Sequence, residues 1–316
     1  MAIVVAGGAG FIGATLCRQV LARGDQVICV DSLVTGSADN VKTLTQAPGF
    51  VFVEADISSP LPALGMAGAT VEAVINLACP ASPVDFGPLA FDILAVSSRG
   101  VWQLLDLAVE HDAVYLQAST SEVYGDPLIH PQPESYWGNV NPIGPRSVYD
   151  EAKRFAEALT SAYRRDRDAN TRIARIFNTY GPGMRPDDGR VISNFVTQAL
   201  RGEPLTVYGD GSQTRSFCYV DDLVSGLLAL AAAGYQDPVN LGNDEEWTML
   251  DTARLVIELT GSASEISHLA LPTDDPTQRR PDLSVARRQL GWVAGTTLRD
   301  GLERAIPYFA RQIGAA

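Results

Sequence analysis

Lysine is nearly missing from this chain: Lys42 and Lys153 are the two it has among 316 residues. Cysteine and histidine are also sparse, with four and three. Cys17, Cys29, Cys79 and Cys218 form no CxxC pair, which excludes a disulfide framework and a zinc site of ordinary spacing. Basic residues number 24 against 37 acidic ones, a formal charge of −13. Such a field repels nucleic acid and anionic lipid, so phosphate-backbone binding is excluded as the main task. No apolar run approaches the ~20 residues a membrane helix needs. The most apolar stretch, residues 223–235, falls short. The opening Met-Ala-Ile-Val-Val-Ala lacks a basic leader segment, so no signal peptide is expected, and reduced thiols point to the cytoplasm. There are no repeats, low-complexity tracts or charge blocks. What remains is 46% apolar and 19% charged residues, the composition of an ordinary enzyme with room for a sizeable core.

Short β-branched runs alternate with longer amphipathic segments through the first half. Ile3-Val4-Val5, Gln26–Asp31, Phe50-Val-Phe-Val53, Ala73-Val-Ile-Asn-Leu77, Ala113-Val-Tyr-Leu-Gln117 and Arg172-Ile-Ala-Arg-Ile176 read as strands. Residues 11–23, 97–110 and 147–165 read as helices. Repeated βα units predict an α/β fold, a doubly wound parallel (Rossmann) sheet with ligands at the carboxyl ends of its strands. After Asn178 glycine, proline and aspartate become frequent, which predicts a smaller, interleaved α/β substrate-binding domain over the sheet's ligand edge. The expected division is residues 1–177, with about 216–242, for the cofactor domain, and about 178–215 and 243–316 for the substrate domain.

Gly7-Gly8-Ala9-Gly10-Phe11-Ile12-Gly13 lies between the first strand and first helix. Gly7 permits the tight turn, Gly10 lets backbone approach a pyrophosphate, and Gly13 allows close helix–strand packing. Asp31 ends the second strand, where a carboxylate accepts the adenosine ribose hydroxyls and repels a 2′-phosphate, favouring NAD over NADP. Tyr149-Asp-Glu-Ala-Lys153 places a phenol and an ammonium on one helix face. The ammonium is expected to lower the phenol's pKa, making Tyr149 a base near neutral pH. Ser119-Thr120-Ser121-Glu122 follows the fifth strand. Such hydroxyls also serve turns and helix caps. Their place ahead of Tyr149 favours contact with a substrate hydroxyl.

The GxxGxxG spacing with YxxxK resembles the extended short-chain dehydrogenase/reductases. Longer strings are similar to the UDP-glucuronate decarboxylases (UDP-xylose synthases). These are Ser119–Gly125, Tyr136-Trp-Gly-Asn-Val-Asn-Pro-Ile-Gly-Pro-Arg146, Arg175-Ile-Phe-Asn-Thr-Tyr-Gly-Pro182, Pro204-Leu-Thr-Val-Tyr-Gly-Asp-Gly-Ser-Gln-Thr-Arg215 and Asp274-Asp-Pro-Thr-Gln-Arg-Arg-Pro-Asp282. The resemblance runs in uninterrupted order from Ile3 to about Tyr308.

It implies NAD-dependent oxidation of UDP-glucuronate at C4, loss of the C6 carboxylate as carbon dioxide, and reduction to UDP-xylose with NAD recycled. Thr120 and Tyr149 would hold the sugar 4-hydroxyl, Lys153 would support Tyr149, and Ser121, Glu122 and Arg279 would act at the reacting centre. Tyr163, Asn178, Arg215 and Arg279 fall at substrate positions. Gly7, Gly10, Phe11, Ile12, Gly13, Asp31, Asp56, Ile57, Leu77, Thr179 and Arg190 fall at cofactor positions, joined by Tyr149 and Lys153. No metal is implied, and the family's homodimers pair helices matching residues 101–110 and 148–163. Hexose 4,6-dehydratases carry Asp-Glu where Ser121-Glu122 stands, and serine is a poor acid for expelling a hydroxyl. The chain departs from the pattern at Asn76 and Cys79 (histidine and serine in the family), at Ala95 (a lysine) and at Gly183 (an arginine). The last two remove positive groups over the site, so release of UDP-4-keto-xylose beside UDP-xylose is expected. Two other readings stay open: another nucleotide-sugar epimerase or dehydratase of the same fold, and a non-catalytic NAD-binding protein.

Overall fold

The computed structural model describes residues 2–64, 70–270 and 278–315. Residues 274–277, the start of the last quoted string, lie outside the described residues. β1 (Ala2–Ala6) leads through the glycine turn into α1 (Phe11–Ala22). Then follow β2 (Gln26–Asp31), α2 (Ala38–Val41), β3 (Phe50–Glu54), β4 (Val71–Asn76), α3 (Ala90–Ala95), α4 (Val101–Glu110), β5 (Val114–Thr120), α5 (Ser147–Arg167) and β6 (Thr171–Ile176). The strands lie in the order β3-β2-β1-β4-β5-β6, and the short strand Val239–Leu241 adds to β6. Every neighbouring pair is parallel.

Side-chain alternation explains why these strands read as continuous apolar runs. Successive residues point to opposite faces, and both faces are covered. Val5, Cys29, Ile75 and Leu116 face one core, packed with Leu16 of α1 and with Leu223 and Leu227 of the helix Val220–Ala232. Val4, Ile28, Val74 and Tyr115 face the other, packed with Leu104 and Leu105 of α4 and Ala156 of α5. Each such side chain removed from water contributes roughly 1.5–3 kcal/mol. The edge strand β3 departs from this, with Val51 exposed on it.

The chain order reverses between β1 and β4, and a doubly wound sheet opens its ligand crevice at that point. The helix expected over 97–110 is found, but α3 precedes it and a π turn (Val96–Gly100) joins the two. Beyond β6 the chain builds small sheets. Thr214–Ser216 pairs with Glu246–Thr248 on one side and Gln278–Arg279 on the other, and Leu205–Tyr208 pairs with Ile266–Leu269. This register sets Arg279 opposite Arg215. Among the described residues no helix is long and apolar enough to cross a membrane.

Candidate active site

The carboxyl ends of the strands open into a cleft of about 500 Å³. Gly7 has φ +77°, and a Cβ there would stand 2.7 Å from the Leu77 carbonyl carbon and the Ala78 nitrogen. A Cβ on Gly13 would overlap the Gly7 carbonyl oxygen. The turn therefore fits flush against β4 and against its own helix, as a dinucleotide cradle requires. Gly10 caps α1, and Phe11, Ile12 and Gly13 line the cleft, so the positive end of the helix dipole meets whatever anion lies there.

Asp31 accepts hydrogen bonds from the Ala9 amide at 2.9 Å and the Leu33 amide at 2.8 Å. Burial raises its pKa against those two bonds. A side hollow of about 80 Å³ brings Asp31 together with Asp56, Ile57 and Leu77. These residues fit an adenosine half. A buried carboxylate so placed repels a 2′-phosphate, so NAD is expected to bind at least ~10-fold tighter than NADP. Asp31→Ser should narrow that ratio. Calorimetric titration with both dinucleotides checks it, and equal affinities for the native protein would contradict it.

Tyr149 and Lys153 both project from α5 toward the end of β5. Lys153 Nζ donates to the Ala118 carbonyl at 3.0 Å and sits 5.6 Å from the Tyr149 ring centroid. Tyr149 is buried, and the neighbouring Thr120 caps the following turn, its hydroxyl accepting from the Glu122 amide at 3.2 Å. Thr120 thus serves as both cap and cleft residue. The expected lowering of the phenol is corrected here. Burial pushes Tyr149 up, Cys79 and Glu122 push the same way, and Arg190 and Thr120 oppose without reversing it. Lys153 gives one of its three donors to a backbone carbonyl, and the surrounding protein strips the phenolate of water.

Glu122 carries the strongest electrostatics of the site. Arg279 grips it in a two-pronged pair, Nη1 to Oε1 at 2.6 Å and Nη2 to Oε2 at 2.9 Å, and Arg146 Nη2 reaches Oε2 at 2.8 Å. Burial alone would raise this carboxyl, but the two guanidinium groups win and bring it down to about 2. Asp150, next to Tyr149, behaves oppositely: burial first, then repulsion by Glu122, raise it to about 7.

Several expected residues converge on the cleft: Gly7, Phe11, Ile12, Gly13, Leu77, Thr120, Ser121, Glu122, Tyr149, Lys153, Asn178, Thr179 and Arg190. The Asn178 side-chain nitrogen is buried with no hydrogen-bond partner, which suits a ligand acceptor. Arg279 reaches the site through Glu122. Arg215 is buried beside it and donates to its neighbour's carbonyl on Thr214 at 2.9 Å, without lining the cleft. Tyr163 is a correction. It lies about four turns beyond Tyr149 on α5. There its hydroxyl donates to Asp106 Oδ1 at 2.6 Å, and its ring packs among α4 and α5 residues. Arg146, Phe86 and Arg185 carry contacts that no motif assigned. Arg146 stands three residues before Tyr149, one turn of α5 away, and that spacing was the available signal. Among the described residues no cluster of histidine, cysteine, aspartate or glutamate could hold a metal ion.

The model of the "NAD dependent epimerase/dehydratase family" matches residues 3–242. UDP-glucuronic acid decarboxylase 1 of Arabidopsis thaliana is 48% identical over 311 residues, covering 98% of this chain and 70% of that protein. UDP-glucuronic acid decarboxylase 1 of Xenopus tropicalis is 45% identical over 311 residues, covering 98% and 72%. The solved UDP-glucuronic acid 4-epimerase from Bacillus cereus, in complex with UDP-glucuronic acid and NAD, superposes with TM-score 0.86 at 27% identity, covering 98% and 99% of the two chains. The dTDP-glucose 4,6-dehydratase from Streptomyces venezuelae with NAD bound gives TM-score 0.86 at 28% identity, covering 99% and 98%. A match of this length and identity makes the chain a member of the NAD dependent epimerase/dehydratase family, on the branch of the UDP-glucuronic acid decarboxylases.

Proposed function

We propose that this protein removes the C6 carboxylate of UDP-glucuronate as carbon dioxide, with NAD held in the glycine cradle and recycled. NAD, when bound, supplies the hydride acceptor and donor for C4 of the sugar. Tyr149 takes and returns the proton of the sugar 4-hydroxyl, with Thr120 beside it to hold that hydroxyl. A C4 ketone is β to the carboxylate, so carbon dioxide leaves with its electrons flowing into an enolate, which is then protonated at C5. The single observation that carries this reading is the Ser121-Glu122 pair with its two arginines. Serine is a poor acid, and Glu122, lowered to about 2, holds no proton to give a departing hydroxyl. A site with no acid to protonate a departing hydroxyl disfavours dehydration, which supports the decarboxylase reading over the dehydratase one.

Residues 1–177 with about 216–242 form the cofactor part, and about 178–215 with 243–316 the sugar part, under the same proposal. A cytoplasmic homodimer completes it. Trp102 on α4 and Phe155 on α5 are about half exposed, an apolar face suited to a second copy.

Mass spectrometry of the purified protein with UDP-glucuronate and NAD tests the reading. Loss of carbon dioxide supports it; loss of water, or no change of mass, overturns it. With alanine at position 95, no ammonium helps retain the 4-keto-pentose. Loss of a charge-assisted hydrogen bond of ~1.5–3 kcal/mol speeds escape by roughly tenfold or more. UDP-4-keto-xylose is expected beside UDP-xylose, with NADH building up on the enzyme, and Ala95→Lys should shift product toward UDP-xylose. A time course giving UDP-xylose alone, without growth of the NADH absorbance band, would refute this.

A further inference from the structure

The segment after β4 is fastened across the cleft to residues 185–190. Arg185 Nη2 donates to Asp85 Oδ2 at 3.0 Å, the Ser82 hydroxyl donates to the Asp188 carbonyl, and Arg190 donates to the Ala81 carbonyl. Arg185 also lies 3.8 Å from Asp187, but that partner is exposed, whereas Asp85 is largely buried. Gly189 lets the two segments meet, since a Cβ there would stand 2.5 Å from Val84 Cγ1.

The fastened segment ends at Phe86, which is buried. Its ring lies 4.8 Å from that of Tyr149 at an interplanar angle of 14°. Arg146 sits 5.6 Å from the Phe86 ring centroid, and this is the same arginine that bonds Glu122. One flat side chain therefore touches both the phenol and a cation of the acidic centre. Proton transfer needs the phenol oxygen within ~2.6–3.2 Å of the substrate hydroxyl. A displacement of ~1 Å from that geometry costs on the order of a hundredfold in rate. A stacked ring restricts the swing that would produce it.

We propose that Phe86 is a positioning residue for Tyr149, and that the Asp85–Arg185 ion pair holds Phe86 in place. The inference rests on Tyr149 acting as the base in the function proposed above. It assigns to the segment after β4 the task of aiming that base.

Phe86→Leu keeps an apolar side chain but loses the flat face. Its kcat on UDP-glucuronate should fall roughly tenfold or more, with KM within ~twofold and NAD affinity by calorimetry unchanged. Phe86→Tyr, which restores the ring, should recover most of the loss. Asp85→Asn and Arg185→Gln should each lower kcat several-fold, and exchanging the two charges (Asp85→Arg with Arg185→Asp) should regain part of it. Native kcat in Phe86→Leu overturns the proposal. So does a loss in which NAD affinity and thermal stability fall in step with kcat, because that marks packing alone. The native protein run alongside separates the two ideas. If it releases no carbon dioxide, the function reading fails, and the variant-to-native ratio is then read on whichever UDP-sugar it does turn over.

Discussion

Tyr149→Phe is expected to bind NAD and the UDP-sugar and yet turn over at least ~100-fold more slowly, the scale of a lost general base. The substitution is a clean one in this setting. The ring that stacks on Phe86 stays, and the burial that holds it stays. What goes is the hydroxyl alone. Lys153 cannot stand in, because an ammonium only donates and has no lone pair to accept a proton. Burial raises the native phenol above its ordinary value. A base so raised is mostly protonated at neutral pH, so native turnover should climb as pH rises toward the alkaline side, and the variant should lack that limb. Calorimetry with NAD and rate measurements across pH check both halves. Near-native turnover in the variant would remove Tyr149 from the chemistry.

Arg279→Met is expected to cost both activity and stability. It leaves Glu122, which is buried, with Arg146 as its remaining cation. Removing one partner of a buried ion pair costs ~3–5 kcal/mol when the charge is left bare. With Arg146 in place the expected cost is about 2 kcal/mol, a fall in Tm of several degrees. The pH dependence has a definite sign. Glu122 is lowered from 4.5 to about 2 in the folded protein, so its stabilisation is complete above 4.5 and lost as pH falls through about 2. In the variant the folded pKa moves back toward 4.5, and acid unfolding should begin at higher pH. Arg279→Lys should recover charge but not the two-pronged grip, giving an intermediate result. Thermal melts at several pH values decide the matter. An Arg279→Met protein with native Tm and native acid limb would show that the pair contributes nothing.

Much of the sheet was legible because its causes are local. β2 and α1 follow from a β-branched run and from a glycine turn whose positive φ at Gly7 few other residues adopt. Tyr149 and Lys153 were legible for the same reason, since four residues on a helix fix their common face. The strand Val239–Leu241 is three residues long, too short for periodicity to mark. The Tyr163 expectation failed because a helix carries a residue away from its neighbours' site at about 1.5 Å per position. Phe86 could not be singled out because its stack with Tyr149 joins a loop to a helix far along the chain, and no spacing rule covers such a pair. The pKa of Tyr149 was misjudged from the motif alone. The lysine's presence is written in the sequence, but the depth of burial that outweighs it is not.

The Glu122–Arg279 pair spans 157 positions of chain. Folding must therefore close a very long loop before the acidic centre exists, whereas the glycine turn and β1–β2 form from near neighbours. Closing entropy grows slowly with length, about 0.6 kcal/mol per doubling, so the span is a modest thermodynamic burden. Its effect is on order and speed, because contacts distant in sequence form late. Until residue 279 arrives, Glu122 has at most Arg146 beside it, so the acidic centre is complete only when the two ends of that span meet.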